Sequence, residues 1–220
     1  MELKRCRLME NQVKVEWEGK IVSIQPRTNV WRYLLDNRTH SHIGYNVFLE
    51  GTVNGIDAKF SVAISEKQQQ SGGYRIGIII KGTAWTKKYP KWEYADYYRA
   101  GALKHISESE ETIDESNAPP WIMSLPDMQT YEWRGARMLS LSCWKGRCFQ
   151  CMWANMANVT IEYDWGKVQK HRFESFCYGP KTCKFYKMGR PRAVPYKGMG
   201  SSYDEGWLDD ICTERRGDDE

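Results

Sequence analysis

No run of apolar residues in this 220-residue chain approaches the length of about 20 that a membrane-spanning helix needs. The opening, MELKRCRLMENQ, has no apolar stretch of the kind a secretory leader carries. A cytoplasmic protein without a membrane partner is expected, in a compartment that keeps thiols reduced. There is no Gly-rich phosphate-binding motif, no internal repeat, no helix-turn-helix and no finger helix. Histidine is scarce, with four residues in all. No nucleophile or paired acids stand beside them, so an enzyme is not the leading expectation.

Aromatics are abundant, with 10 Trp and 13 Tyr, enough to build a folded core. Charge is unevenly spread. Residues 167–197 hold nine Lys/Arg against one Glu, whereas residues 204–220 hold eight Asp/Glu against two Arg. A basic body points to a polyanion partner. The acidic end reads as a flexible tail over 198–220 that could fold onto the basic stretch and compete for it.

Residues 13–25 alternate apolar and polar positions around Gly19, which predicts a strand with a bend at the glycine. Residues 45–51 and 56–64 alternate likewise, and Asn54-Gly55 between them is a strong hairpin signal. Residues 74–84 and 92–106 supply two more strands. Val13, Val15, Ile21, Val47, Leu49, Phe60, Val62, Ile78 and Ile80 are the expected inward side chains. This layout over 10–106 resembles an OB-fold, although an SH3-like barrel leaves a similar pattern. The resemblance implies a mainly β antiparallel barrel and an oligonucleotide-binding surface. An acidic, Pro-Pro linker over 107–120 then predicts a domain boundary. Asp127 is a candidate helix cap for the segment that follows.

Five of the seven cysteines fall between 143 and 183. Cys148-x2-Cys151 can place two thiolates on one metal, and Cys177 with Cys183 can add a second pair. Residues 159–163 and 171–176 between the pairs alternate like a hairpin. The arrangement resembles a zinc ribbon, with the second pair departing from the C-x2-C spacing. It implies a structural Zn²⁺ in a module over 121–197; an all-cysteine set, with Cys143 as a substitute ligand, also suits an iron–sulfur cluster. Cys6 and Cys212 are expected to be uninvolved.

Three further groups are candidates for contact. Trp31-Arg32 and the run from Trp85 to Arg99 interleave aromatics with cations, the pattern that stacks bases and neutralises phosphates: Lys87, Lys88, Tyr89, Trp92 and Arg99. Lys181, Lys184, Lys187, Arg190 and Arg192 form an arm that Gly and Pro keep extended. Asp36, His40 and His42 lie in a polar segment read as a loop after the first strand. There they could serve as a polar site or, in a third reading, as the centre of a metal-dependent nuclease. A nucleic-acid-binding protein is the leading expectation. The alternative is an adaptor in a protein assembly, with Trp and Tyr as its interface anchors.

Overall fold

The computed structural model describes residues 11–33, 37–108, 125–163, 168–190, 193–196, 199–202 and 205–216. The alternating segments become strands: β1 (Lys14–Tyr33), β2 (Asn37–Val53), β3 (Ile56–Ile64), β4 (Ile78–Thr86) and β5 (Tyr97–Glu108). They close into a ring in the order β1-β2-β3-β5-β4-β1. All the pairings are antiparallel except β3 with β5, which is parallel. Asn54 and Gly55 both have positive φ (50° and 79°), the requirement of the tight turn between β2 and β3.

Ile21, Val47, Leu49, Phe60, Val62, Ile78 and Ile80 are buried in the core, as is Val15. Val13 is not: it is 56% exposed, at the barrel's edge just before β1, where only its backbone is held, by Thr86 at the end of β4. A short helix, α1 (Glu66–Gly72), joins β3 to β4. The sequence announces it by a capping box that the strand reading passes over. Ser65 Oγ accepts from Gln68 N at 3.2 Å, and Gln68 Oε1 accepts from Ser65 N at 2.9 Å.

Two strand lengths differ from the expectation. β1 continues to Tyr33, and the polar segment 37–46 is no loop but the first part of β2, paired with it. The register shifts between Ile21 and Ser23 and between Pro26 and Thr28, so the bends lie there and not at Gly19. Such bulges let one long strand serve two surroundings. Lys14–Lys20 pair with β4 and close the barrel; Asn29–Arg32 pair in parallel with β7 (Ala154–Tyr163). β5 begins at Tyr97, because Trp92–Asp96 belong to the preceding turn.

Beyond the barrel, Asp127 caps α2 (Met128–Arg134), its carboxylate accepting from Thr130 N at 2.7 Å. β6 (Arg137–Met138), α3 (Leu141–Lys145) and a 3-10 turn over Arg147–Gln150 follow. β7 and β8 (Val168–Cys177) form the expected hairpin. Its turn, 164–167, lies outside the described residues, as does most of the acidic linker. One sheet runs through both parts, in the order β2-β3-β5-β4-β1-β7-β8-β6.

The basic arm is partly ordered as a second, two-stranded sheet, β9 (Ala193–Tyr196) with β10 (Met199–Ser202). Nor is the acidic end a flexible tail throughout: Glu205–Cys212 is a helix, α4. It is anchored because its apolar and polar groups are both satisfied. Leu208, Asp209, Thr213 and Arg216 are buried. Asp209 accepts from Arg38 Nη2 (2.8 Å) and from Met138 N (2.9 Å). Arg216 donates to Gly135 O (2.9 Å) and Gly179 O (2.5 Å).

Candidate functional site

Where β1 leaves the barrel and joins the β7–β8 hairpin, a half-open pocket of about 290 Å³ forms. Three pieces of chain build it. The β1–β2 ladder brings Arg27, Asn29, Trp31 and Ile43; the β4–β5 connection brings Trp92 and Glu93, and the start of β5 Tyr98; the hairpin brings Asn158, Val159, Thr160, His171 and Arg172. Arg27 sits at the second register shift, and its Nη2 donates to Ile43 O across the bulge at 2.8 Å. The neighbouring Gly44 has φ +116°, and a Cβ there would lie 2.2 Å from Ile64 O. Only glycine fits that approach, so the bulge that aims Arg27 depends on it.

The aromatic wall is held from behind. Trp92 stacks on Tyr89 (centroids 5.1 Å apart, 23° between planes) and meets His171 at 4.3 Å. Glu93 fixes the connection, accepting from Lys88 N (2.7 Å) and Tyr89 N (2.8 Å). The Arg27 guanidinium lies 5.8 Å from the centre of the Tyr98 ring. Asn158 Nδ2 donates to Asn29 Oδ1 at 3.3 Å. Burial lowers the His171 pKa, which keeps the ring neutral at pH 7.

No family model, curated protein or solved structure matches this chain.

Of the expected contact residues, Trp31 and Trp92 line the pocket, and Tyr89 braces it. Lys88 lies over the Tyr89 ring at 5.4 Å, and Lys87 ion-pairs with Asp96 at 3.4 Å. Arg99 is exposed, with φ 54°. Arg32 is sealed inside: it donates to both oxygens of Glu174 and neither side chain is exposed, so it is placed for structure and not for a phosphate. Lys184, Lys187 and Arg190 are exposed, Lys181 is half-buried with Nζ 3.5 Å from Arg216 O, and Arg192 lies outside the described residues. Arg27, Asn29, Asn158, His171 and Arg172 escaped the sequence reading. One signal was present: Pro26 inside a strand marks a bulge, where the next side chain is re-aimed.

The thiols gather at the other end of the hairpin from the pocket. Cys148, Cys151 and Cys177 are buried in one cluster with Trp144, and Cys143 packs against it. Antiparallel pairing brings this about, because Cys177 ends β8 opposite Ala154, next to Cys151. Cys148-x2-Cys151 makes the expected tight turn, Cys151 N donating to Cys148 O at 3.0 Å. Two of the sulfurs already receive backbone N–H groups, Cys151 from Trp153 and Cys177 from Gly179 (3.3 Å), and Arg137 also approaches Cys177. Burial pushes the Cys148 thiol up to about 12, with the charges of Cys177, Cys143 and Cys183 adding to the effect. Among the described residues, no three Cys, His, Asp or Glu side chains stand in an arrangement that could hold a metal ion.

Asp36 lies outside the described residues. His40 and His42 share one face of β2, as their spacing requires, but that face turns inward. His40 Nδ1 is 3.1 Å from Tyr178 Oη, and the His42 ring lies parallel to Tyr131 at 6.2 Å. Neither ring is hydrogen-bonded to a carboxylate among the described residues.

Proposed function

We propose that this protein binds single-stranded or structured nucleic acid through a barrel of the OB type. The observation that carries the reading is the ring order β1-β2-β3-β5-β4-β1, with a parallel β3–β5 contact and a helix between β3 and β4. OB-folds bind oligonucleotides on one face and on the loops after strands 1 and 4. In this chain the β4–β5 connection carries Lys87, Lys88, Tyr89 and Trp92, an aromatic platform flanked by cations. Stacking on such a platform contributes about 1–3 kcal/mol per base and tolerates any sequence.

Fluorescence anisotropy with labelled 15-mer RNA and DNA tests this. Binding should fall steeply and log-linearly with salt. The combined variant Lys88→Ala, Lys184→Ala, Lys187→Ala, Arg190→Ala should weaken it and flatten the slope by about one unit for each phosphate no longer neutralised. Absence of binding at low salt would sink the reading.

An adaptor role is the second reading. It is favoured by Trp133 on α2 and by Trp207 and Ile211 on α4, all about half exposed (48%, 51% and 44%). Large apolar side chains exposed on helices are characteristic of protein interfaces.

We also propose that Cys148, Cys151, Cys177 and Cys183 hold a structural metal, zinc or an iron–sulfur cluster, which would cross-link the 3-10 turn to the loop after β8. The N–H groups on two sulfurs and the nearby Arg137 support it, since both stabilise thiolates. Closing the set on one ion requires the side chains to draw together. Purified protein should contain one metal site per chain, and a strong chelator should lower the unfolding midpoint and expose the thiols to alkylation. Metal-free protein that melts at the same temperature with and without chelator would exclude it.

A further inference from the structure

The geometry points to the pocket between barrel and hairpin as a site for one nucleobase, taken either from a free nucleotide or from a base turned out of a single strand. This rests on the proposed nucleic-acid function for its biological source, but its chemistry stands on the pocket alone. At about 290 Å³ it is at the low end for small-molecule sites, roomy enough for a base with part of its sugar and too small for stacked bases.

The walls suit a flat ring. Trp92 is packed between Tyr89 (5.1 Å) and His171 (4.3 Å), so it bounds the cavity as a supported wall. The polar groups suit the edge of such a ring. Arg27 Nε and Asn158 Oδ1 are buried and have no hydrogen-bond partner. The rest of each side chain is engaged, Arg27 Nη2 with Ile43 O and Asn158 Nδ2 with Asn29 Oδ1. One donor and one acceptor are thus left over on two residues that line the cavity, each with almost no surface open to it, so a ligand meets them only once the side chains turn.

Leaving such groups unmade is costly, and a ligand offering both a donor and an acceptor would satisfy them together. Every Watson–Crick edge offers both, so the pocket separates a base from a bare sugar phosphate more sharply than one base from another. The Glu93 carboxylate, bonded to Lys88 N and Tyr89 N, keeps its charge and acts on Arg27, but Arg27 and Arg172 give the lining two cations against one anion, which favours an anionic nucleotide. Five of the twelve lining residues come from the hairpin, which accounts for the length of β1: without Asn29–Arg32 on β7, Asn158 and His171 would not reach the barrel.

The experiment titrates the full chain with AMP, with ribose 5-phosphate and with a single-stranded 10-mer, following Trp fluorescence and anisotropy. AMP should quench and ribose 5-phosphate should not. Trp92→Leu and Asn158→Leu should each weaken AMP at least 10-fold, with circular dichroism melts showing that both variants fold. Asn158→Leu, close in size and without the acceptor, keeps the test valid if Trp92→Leu does not fold. If a strand is the source, the 10-mer should bind at least 10-fold tighter than AMP and weaken as much in the two variants. AMP binding without any gain for the 10-mer keeps the pocket and removes the nucleic-acid reading. A 10-mer that binds with a steep salt slope but ignores both substitutions keeps that reading and overturns the pocket. Ribose 5-phosphate binding as well as AMP, or no response to any of the three, also overturns it.

Discussion

Glu174→Gln is expected to destabilise the protein by about 3–5 kcal/mol, the cost of removing one partner from a buried ion pair. Glu174 and Arg32 are both fully buried and meet at 2.6 Å, with a second and third contact at 2.9 and 3.1 Å. Arg172 adds a further bond to Glu174 at 2.5 Å. The amide keeps the shape but removes the charge that compensates the Arg32 cation. A cation of this kind cannot shed its charge as a buried acid can, since guanidinium stays protonated at any accessible pH. The pair also joins β1 to β8, so breaking it loosens the wall that carries His171 and Arg172. Urea unfolding of wild type and variant measures the effect, and a change below about 1 kcal/mol would show that water reaches the pair. The double variant Arg32→Met, Glu174→Leu should recover much of the stability, because neither charge is then left unpaired.

Acid should destabilise the protein through two half-buried histidines, whose ring nitrogens are covered. Burial pushes the His42 imidazole down to about 4. His40 is held well below its ordinary value by burial first, then by the charges of Arg38, His42 and Arg32. Both are therefore neutral in the native state, while the unfolded chain takes up protons near pH 6.5. Stability from these groups is complete above about pH 6.5 and is lost progressively as pH falls to about 4. His42 alone accounts for up to about 3 kcal/mol of that decline. Denaturant titrations between pH 7.5 and 4.5 should show it, and His42→Phe, which keeps a ring beside Tyr131, should flatten the slope. Identical slopes in the two proteins would mean that carboxylates, common to both, cause the acid lability.

The sequence by itself determined the local elements. Alternation located the strands of the barrel and the β7–β8 hairpin; Asn54-Gly55 set a turn; Asp127 set a helix start. Each is decided by residues within a few positions of one another, so a linear reading reaches it. Ser65 and Gln68 carried an equally local signal for α1 that went unread. The C-x2-C turn at Cys148 and Cys151 was legible for the same reason.

Tertiary structure decided the rest, because the deciding partners are far apart in the chain. Residues 37–46 look like a loop since Arg38, His40 and His42 are polar. They form a strand because Asp209 and Tyr178, more than 130 residues away, satisfy Arg38 and His40. The acidic end looks solvated, yet Asp209 is held by Arg38 and by Met138 N, and that converts a charge run into a docked helix. Arg32 looks like a phosphate contact until Glu174 arrives from β8 to neutralise it. The pocket is the extreme case. Its residues come from three separate stretches, and only the parallel contact of β1 with β7 brings Arg27 and Asn158 into one cavity.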